Sequence, residues 1–424
     1  MAAAESFRAP SGTHDVLWPE SFRWERFSER FSQAAEALGF GLIQTPTFED
    51  LGVFKRGIGE NNDVVGKEMY VFEDRGGRQM ALRPEGTASV VRAFVQHRPV
   101  TPFKAWYLTP SFRYERPQAG RFREHHQVGV ELIGTADADA DVEVIALAEN
   151  FLRSLGLSAF TTQLGTMGDA ACRPAYLEKL TAYLEAKESG LCEEHQPKWR
   201  ANPLRILDCK KSSCVSVADA GPMLLDHLCE DCALHHERVL EGLAEAGIAV
   251  VANPKLVRGF DYYTRTTFEF SSSALDGAQN ALGGGGRYDG LVEMLGGPQN
   301  PGIGFGMGIE RVLLACDAEG VFTAPAPQPE VFVIDVTDGR AARGLALELR
   351  RHGIRVERAF DARSLKSQLK QADRSGALLA LIVGSREIEE GMVTLRDLRD
   401  GAQESVVASD IVAATVTALG REGQ

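Results

Sequence analysis

Residues 112–131 read FRYERPQAGRFREHHQVGVE, and the alternation in this stretch decides what sheet the chain can build. Phe112, Arg113, Tyr114 and Glu115 alternate up to a Pro-Gln-Ala-Gly break. Beyond it Phe122, Glu124, His126, Val128 and Val130 fall on one face, and Arg123, His125, Gln127, Gly129 and Glu131 on the other. Successive side chains in a strand point to opposite faces, so this is the pattern of a hairpin. Gln127 and Glu131 then share a face with only the hydrogens of Gly129 between them, and a small polar ligand could lie there against backbone, held at both ends. Arg113, Arg116, Arg121 and Arg123 surround the turn, opposed locally by Glu115 and Glu124. Planar guanidinium forks suit phosphate oxygens, which points to a phosphate-rich ligand. A solvated, salt-bridged hairpin is the bland alternative.

Upstream, Pro19 and Glu20 open a helix with apolar positions at Phe22, Phe27, Phe31, Ala34, Ala35 and Leu38, and Gly39 ends it. A short strand to Thr45, the strand-ending Pro46 and an aromatic-bearing turn follow. Residues 67–72 and 78–82 read as a hairpin closed by EDRGG. The second arm leads to RPEGTA, where Glu85 and Thr87 stand at a helix start. A carboxylate beside a hydroxyl can hold an ammonium group, but it also serves an ordinary helix start, and local sequence leaves both readings open.

Downstream, residues 103–107 form a strand, 137–155 a helix ended by Gly156, and 160–164 another strand. Residues from about 170 to 250 change character, with short helical patterns, prolines, four cysteines and a helix expected over about 218–246; an inserted helical subdomain accounts for them. Strand chemistry returns in VRGFDYYTRTTFEF, where Tyr263, Arg265, Thr267 and Glu269 alternate with Thr264, Thr266, Phe268 and Phe270. Arg258 precedes this strand; pairing with the neighbouring tyrosines alone would explain it structurally. Four glycines from Gly283 imply close backbone approach, with Arg287 placing a cation beside that gap, and GIGFGMGIERVLLA feeds a helix bearing Arg311. The series from Gly283 has neither Walker nor GxGxxG spacing, so neither a P-loop nor a Rossmann reading is supported. After the linker APAPQP, strands alternate with helices over about 95 residues, as in an α/β domain.

The 424 residues exceed one ordinary core. The chain is 44% hydrophobic and 25% charged, with net charge −13, which argues against non-specific nucleic-acid binding by the whole surface. One segment departs from this. From Arg350 to Arg374 eight basic residues (Arg350, Arg351, Arg355, Arg358, Arg363, Lys366, Lys370, Arg374) face three acidic ones, Glu357, Asp361 and Asp373. That is a footprint for a polyanion, or a solvated helix face. No apolar run approaches the roughly 20 residues of a membrane span, and the start MAAAESFRAPSGTHD lacks a signal-peptide pattern, so a cytoplasmic location is expected. The odd cysteine count fits a reducing compartment. Cys209, Cys214, Cys229 and Cys232, with His227 near, form the one zinc hypothesis; ordinary free thiols are the weightier reading.

These stretches, in this order, resemble the bacterial histidyl-tRNA synthetases, a family of class II aminoacyl-tRNA synthetases, over essentially the whole chain. The three class II motifs match the first helix with TPTFED, then FRYE with its arginine-rich loop, then GIGFGMGIERVLL; LVRGFDYYTRTTFE, GGRYDGL, RPEGTA and QVGVE are the histidine-specific signals. The resemblance implies an α+β fold, with a class II antiparallel sheet flanked by helices in residues 1–325. A mainly helical insertion interrupts it at about 170–250, and an α/β anticodon-binding domain follows at 326–424. The implied reaction is ATP-dependent attachment of L-histidine to tRNA(His) through histidyl-adenylate, releasing AMP and pyrophosphate, with Mg2+. Carried onto this chain, Glu85 and Thr87 would bind the α-ammonium of histidine, and Gln127 and Arg258 its carboxylate. Glu131 and Tyr263 would bind the imidazole, with Tyr262 and Tyr288 lining the same region. Arg113 would contact the α-phosphate, Glu115 and Arg121 flank the nucleotide, and Arg311 hold its phosphate end or stack on adenine. Arg113 and Arg258 would be catalytic. A homodimer through the first motif, contact of the basic segment with RNA and no membrane association are also implied. Regulatory subunits of ATP phosphoribosyltransferase share this ancestry, but they typically lack the appended domain and have degraded histidine motifs.

Overall fold

The computed structural model describes residues 7–59, 62–275, 280–360 and 363–421. The chain divides into two compact units, Met1–Ala324 and Pro325–Gln424. The first is built on an eight-stranded mixed sheet. Its spatial order is Gly41–Leu42, Phe103–Phe112, Glu124–Ile133, Gly302–Gly308, Ala281–Arg287, Thr264–Ser272, Phe160–Thr166 and Val250–Ala252. The six inner strands are antiparallel to one another; the two short edge strands each pair in parallel with the inner strand beside them.

Period-two sequence sorts this sheet into two chemically different faces. Val128, Val130, Phe268, Phe270, Ile303, Phe305 and Met307 point into one apolar core, where they meet Phe27 and Phe31 of helix Glu20–Glu36, Val144 and Phe151 of helix Ala138–Ser154, and Val312 of helix Ile309–Glu319. The opposite face carries Gln127, Gly129 and Glu131 and the interleaved glycines of Gly302–Gly308. Large apolar residues therefore bind the helices, and small ones leave room on the other side.

Three local expectations change. Residues 51–58 form a helix, Leu51–Ile58, instead of a turn, because the Asp50 side chain accepts the Gly52 N–H as an N-cap. The long helix expected over 218–246 is divided: helix Ser212–Asp219 ends before Gly221 and Pro222, a single turn follows at Leu224–His227, and helix Glu230–Glu245 restarts the pattern. This last helix belongs to the main core through Val239 and Leu243, whereas Tyr176, Leu180, Leu184, Trp199, Ile206 and Leu224 gather into a separate small core.

The second unit has a five-stranded sheet, in the order Val356–Arg358, Val331–Asp335, Leu379–Val383, Met392–Asp397 and Gln403–Val407. Its first three strands are parallel and the last two pair antiparallel. The final strand, Gln403–Val407, is too polar and exposed to announce itself by periodicity.

Candidate functional site

The glycine-rich face of the eight-stranded sheet floors a cavity of about 760 Å³. Ten of the residues singled out by sequence line it: Glu85, Thr87, Arg113, Glu115, Arg121, Gln127, Arg258, Tyr262, Tyr263 and Arg311. They come from four separate stretches that the strand order brings together. One wall comes from the inserted segment, through Leu207, Asp208, Cys209 and Lys210.

At one end the surroundings suit a small zwitterion. Glu85 accepts the Thr87 N–H at 2.5 Å and the Ala88 N–H at 2.8 Å, so it does serve the start of helix Thr87–His97. Its position in the cavity wall leaves further lone pairs for a cation. Burial raises its pKa against these hydrogen bonds, so an ammonium beside it would restore the charged form. Gln127 Oε1 accepts from Ser111 Oγ at 3.1 Å, leaving its NH2 as the donating end. Arg258 donates to Glu269 at 2.9 Å, while its buried Nε has no partner. Desolvation opposes the charge on Arg258, but Tyr263 and Glu269 outweigh it and hold the pKa above the usual arginine range.

Glu131 and Tyr288 do not reach the cavity wall. The space expected above Gly129 is filled by the ring of Tyr107, its register partner, whose hydroxyl donates to Glu131 at 3.3 Å. A Cβ on Gly129 would collide with that ring, and one on Gly304 would collide with the Glu131 carboxyl. These two glycines therefore admit a buried layer beneath the cavity in which Tyr288 Oη donates to Glu131 at 2.5 Å. Burial pushes the Glu131 carboxyl up to about 8, although Tyr288 and Thr87 pull it down.

The other end is cationic. Arg113 donates to the Pro84 carbonyl at 2.8 Å and Arg311 to the carbonyls of Ala281 and Gly120 at 3.1 and 3.3 Å. Neither has a carboxylate partner among the described residues. Burial lowers both pKa values, and at Arg311 the nearby Arg121 and Arg113 lower it further. Arg121 pairs with Glu115. Desolvation, then Arg113, His126, Arg311 and Arg121, depress His125 to about 3, so it lines the cavity as a neutral donor–acceptor. An anionic ligand would relieve this mutual repulsion.

Sequence reasoning missed His125, Tyr107, Glu269 and Glu310. His125 shares strand parity with Gln127, and Glu269 with Tyr263, so parity alone could have found these two. Glu310 is held by the His126 backbone N–H and ring, a contact no local pattern announces. Two expectations are corrected. Arg287 does not face the cavity: it is fully buried on Asp141 and the carbonyls of Thr135 and Asp137. Nor do Cys209, Cys214, Cys229 and Cys232 form one cluster. Cys209 and Cys214 meet Cys192 and His195, whereas Cys229 and Cys232 meet Cys172 and Asp169. The knuckle-like spacing of Cys229 and Cys232 sits at the start of helix Glu230–Glu245, which carries it away from the first pair.

Known proteins resemble this chain over nearly its whole length. Residues 12–312 match the histidyl-tRNA synthetase family and residues 330–417 an anticodon binding domain. The chain is 47% identical over 417 residues to a histidine–tRNA ligase of Rhodococcus erythropolis, covering 97% of this chain and 98% of that one. A Moorella thermoacetica histidine–tRNA ligase is also 47% identical, over 410 residues, covering 95% and 96%. The structure of apo Staphylococcus aureus histidyl-tRNA synthetase superposes with a TM-score of 0.81 at 33% identity, covering 97% of this chain and all of that one. The chain belongs to the histidyl-tRNA synthetase family of class II aminoacyl-tRNA synthetases, in its bacterial form.

Proposed function

We propose that the cavity binds histidine at its Glu85–Gln127–Arg258 end and ATP at its Arg113–Arg311 end, and joins them as histidyl-adenylate. The chain is an enzyme, a histidine–tRNA ligase by family, and the reading concerns which residues do the work. The observation that carries it is the pair Arg113 and Arg311, half-buried on the cavity with backbone carbonyls as hydrogen-bond partners and no carboxylate partner among the described residues, beside Arg258 with an unpaired Nε.

Glu85 and Thr87 receive the α-ammonium, and Gln127 Nε2 with Arg258 the carboxylate. Tyr263 faces the imidazole, with Tyr262 packed on it at 4.6 Å between ring centroids. Glu131 and Tyr288 act from the layer below by orienting Tyr107. The histidine carboxylate then attacks the α-phosphorus in line with the departing pyrophosphate. Arg113 and Arg258 stabilise charge on the phosphoryl oxygens, Glu115 and Arg121 flank the nucleotide, and Arg311 holds its far phosphates or stacks on adenine. Mg2+, when bound with ATP, neutralises phosphate charge. The terminal 3′-hydroxyl of tRNA(His) then displaces AMP.

The appended unit reads the anticodon in this proposal. Three of the eight basic residues in the segment are engaged internally: Arg350 donates to the Val356 carbonyl, Arg351 pairs with Glu348, and Arg355 with Glu330. Lys366, Lys370 and Arg374 instead repeat every fourth residue along helix Leu365–Ser375 as an exposed stripe, and exposed Phe360 carries Arg358 against its ring. Asp361 lies outside the described residues. Cations for phosphate and an aromatic face for an unstacked base suit single-stranded RNA. A cytoplasmic homodimer assembled through the first class II motif completes the reading. No described helix is long and apolar enough to cross a membrane.

Purified protein with magnesium is expected to exchange pyrophosphate into ATP only when histidine is present, and to transfer histidine to tRNA(His). No exchange would overturn the cavity assignment; exchange without transfer would overturn the RNA assignment. Glu131→Ala leaves the Tyr107 and Tyr288 hydroxyls without their buried partner, worth about 1–3 kcal/mol. The KM for histidine should rise roughly tenfold to a hundredfold with little change for ATP, and an unchanged histidine KM would remove Glu131 from the site.

Ionisation of the same carboxyl is disfavoured in the folded state. Its folded pKa of about 8 lies above its ordinary 4.5, so the stability it contributes is complete below 4.5 and is lost as pH rises through about 8. Glu131→Gln should flatten the fall of the urea midpoint across that window. An equally steep fall in the variant would refute the shifted pKa.

A further inference from the structure

We propose that the inserted segment carries a structural zinc ion bound by Cys192, His195, Cys209 and Cys214. The four ligand atoms lie within 4.8 Å of one another. Cys192 Sγ is 3.3 Å and Cys214 Sγ 3.8 Å from His195 Nδ1. A tetrahedral zinc with ordinary Zn–S and Zn–N bonds holds its ligand atoms roughly 3.5–3.8 Å apart, so the cluster closes on an ion with small adjustments. Three sulfurs and one imidazole nitrogen are soft and borderline donors, a set that selects zinc over calcium or magnesium. The sequence arrangement is paired, CEEH at 192–195 and CKKSSC at 209–214, as in sites where two short loops converge. The Cys192 N–H also donates to Cys214 Sγ at 3.2 Å, the kind of second contact that stabilises a thiolate.

The surrounding structure needs such a tie. Between helix Arg173–Ala186 and helix Ser212–Asp219 the chain has only single turns, at Glu188–Gly190, Trp199–Ala201 and Pro203–Ile206. The core there is small and centred on Trp199, Ile206 and Cys214. Segments with so little apolar interior are commonly held by metal or disulfide. The ion would have a second consequence, because Cys209 also lines the catalytic cavity with Leu207, Asp208 and Lys210. Fixing Cys209 fixes that wall. The neighbouring cluster of Asp169, Cys172, Cys229 and Cys232 is less suited, since Asp169 is engaged with Arg265 at 3.4 Å and with the Ala171 N–H.

The test is metal analysis of full-length protein produced with zinc supplementation and dialysed without chelator. At least one zinc equivalent per chain is expected, with one equivalent fewer in Cys192→Ser and in Cys214→Ser, whatever Cys229→Ser does. His195→Cys should keep the ion, and its cobalt-substituted form should show stronger thiolate-to-metal charge transfer than the cobalt-substituted parent. That comparison does not depend on the serine variants folding. Chelation should expose the thiols of Cys192, Cys209 and Cys214 to titration. Absence of zinc after supplementation, full retention by folded Cys192→Ser and Cys214→Ser, or a Cys192–Cys214 disulfide in freshly purified protein would overturn the site.

Discussion

Arg258→Ala is expected to lower histidine-dependent pyrophosphate exchange by about 10²–10³-fold, the effect of removing one preorganised donor from a charge-stabilising site. Folding stability should barely move. The guanidinium contributes one ion pair, to a partly exposed Glu269, and such pairs are worth about 1 kcal/mol or less. It lies against the backbone of Gly284, where a Cβ would come within 2.9 Å of Nη1, so its placement is set by a missing side chain as much as by its partner. Arg258→Lys keeps the charge but loses the fork and should recover only part of the rate. Exchange rates and urea midpoints measured on the same preparations decide the matter. If the midpoint of Arg258→Ala fell in proportion to its activity, Arg258 would be a structural residue whose Nε merely lacks a partner.

The legible part of this molecule was what period and parity encode. The alternation in residues 122–131 placed Gln127 on the cavity face and Val128 and Val130 in the core, and the arginines around the turn indicated an anionic ligand that burial and mutual repulsion in the folded cavity support. Depth was not legible. Whether Glu131 stands at the surface or one layer down depends on Tyr107, a register partner on the preceding strand, and no one-strand pattern contains that information. The same holds for cysteine partners. Cys192 and His195 were passed over because the pairing of loops in a segment with so little regular structure is decided by tertiary packing. Glu85 shows a third case, in which the two local readings coexist: it bonds the helix start and also lines the cavity.

Arg287 is the residue whose role changed most, and its replacement should give the largest loss of stability. Its side chain and that of Asp141 have no exposed surface, and Nε and Nη2 reach Asp141 Oδ2 at 2.8 and 2.6 Å. Nη1 and Nη2 also bond the carbonyls of Thr135 and Asp137, which ties the end of the glycine strand to the start of helix Ala138–Ser154. In Arg287→Ala the Asp141 carboxylate remains buried with His235 Nε2, at 3.2 Å, as its remaining side-chain partner. Leaving a buried charge in that state costs about 3–5 kcal/mol. The double variant Arg287→Met with Asp141→Leu removes both charges and should be less destabilised than Arg287→Ala alone, because the penalty lies in the unpaired ion more than in the lost attraction. Urea unfolding of the three proteins, followed by tryptophan fluorescence and by circular dichroism, measures the difference. If the double variant were the least stable, the carbonyl bonds of Arg287 would outweigh the ion pair, and the join between strand and helix would be held by backbone recognition instead of charge.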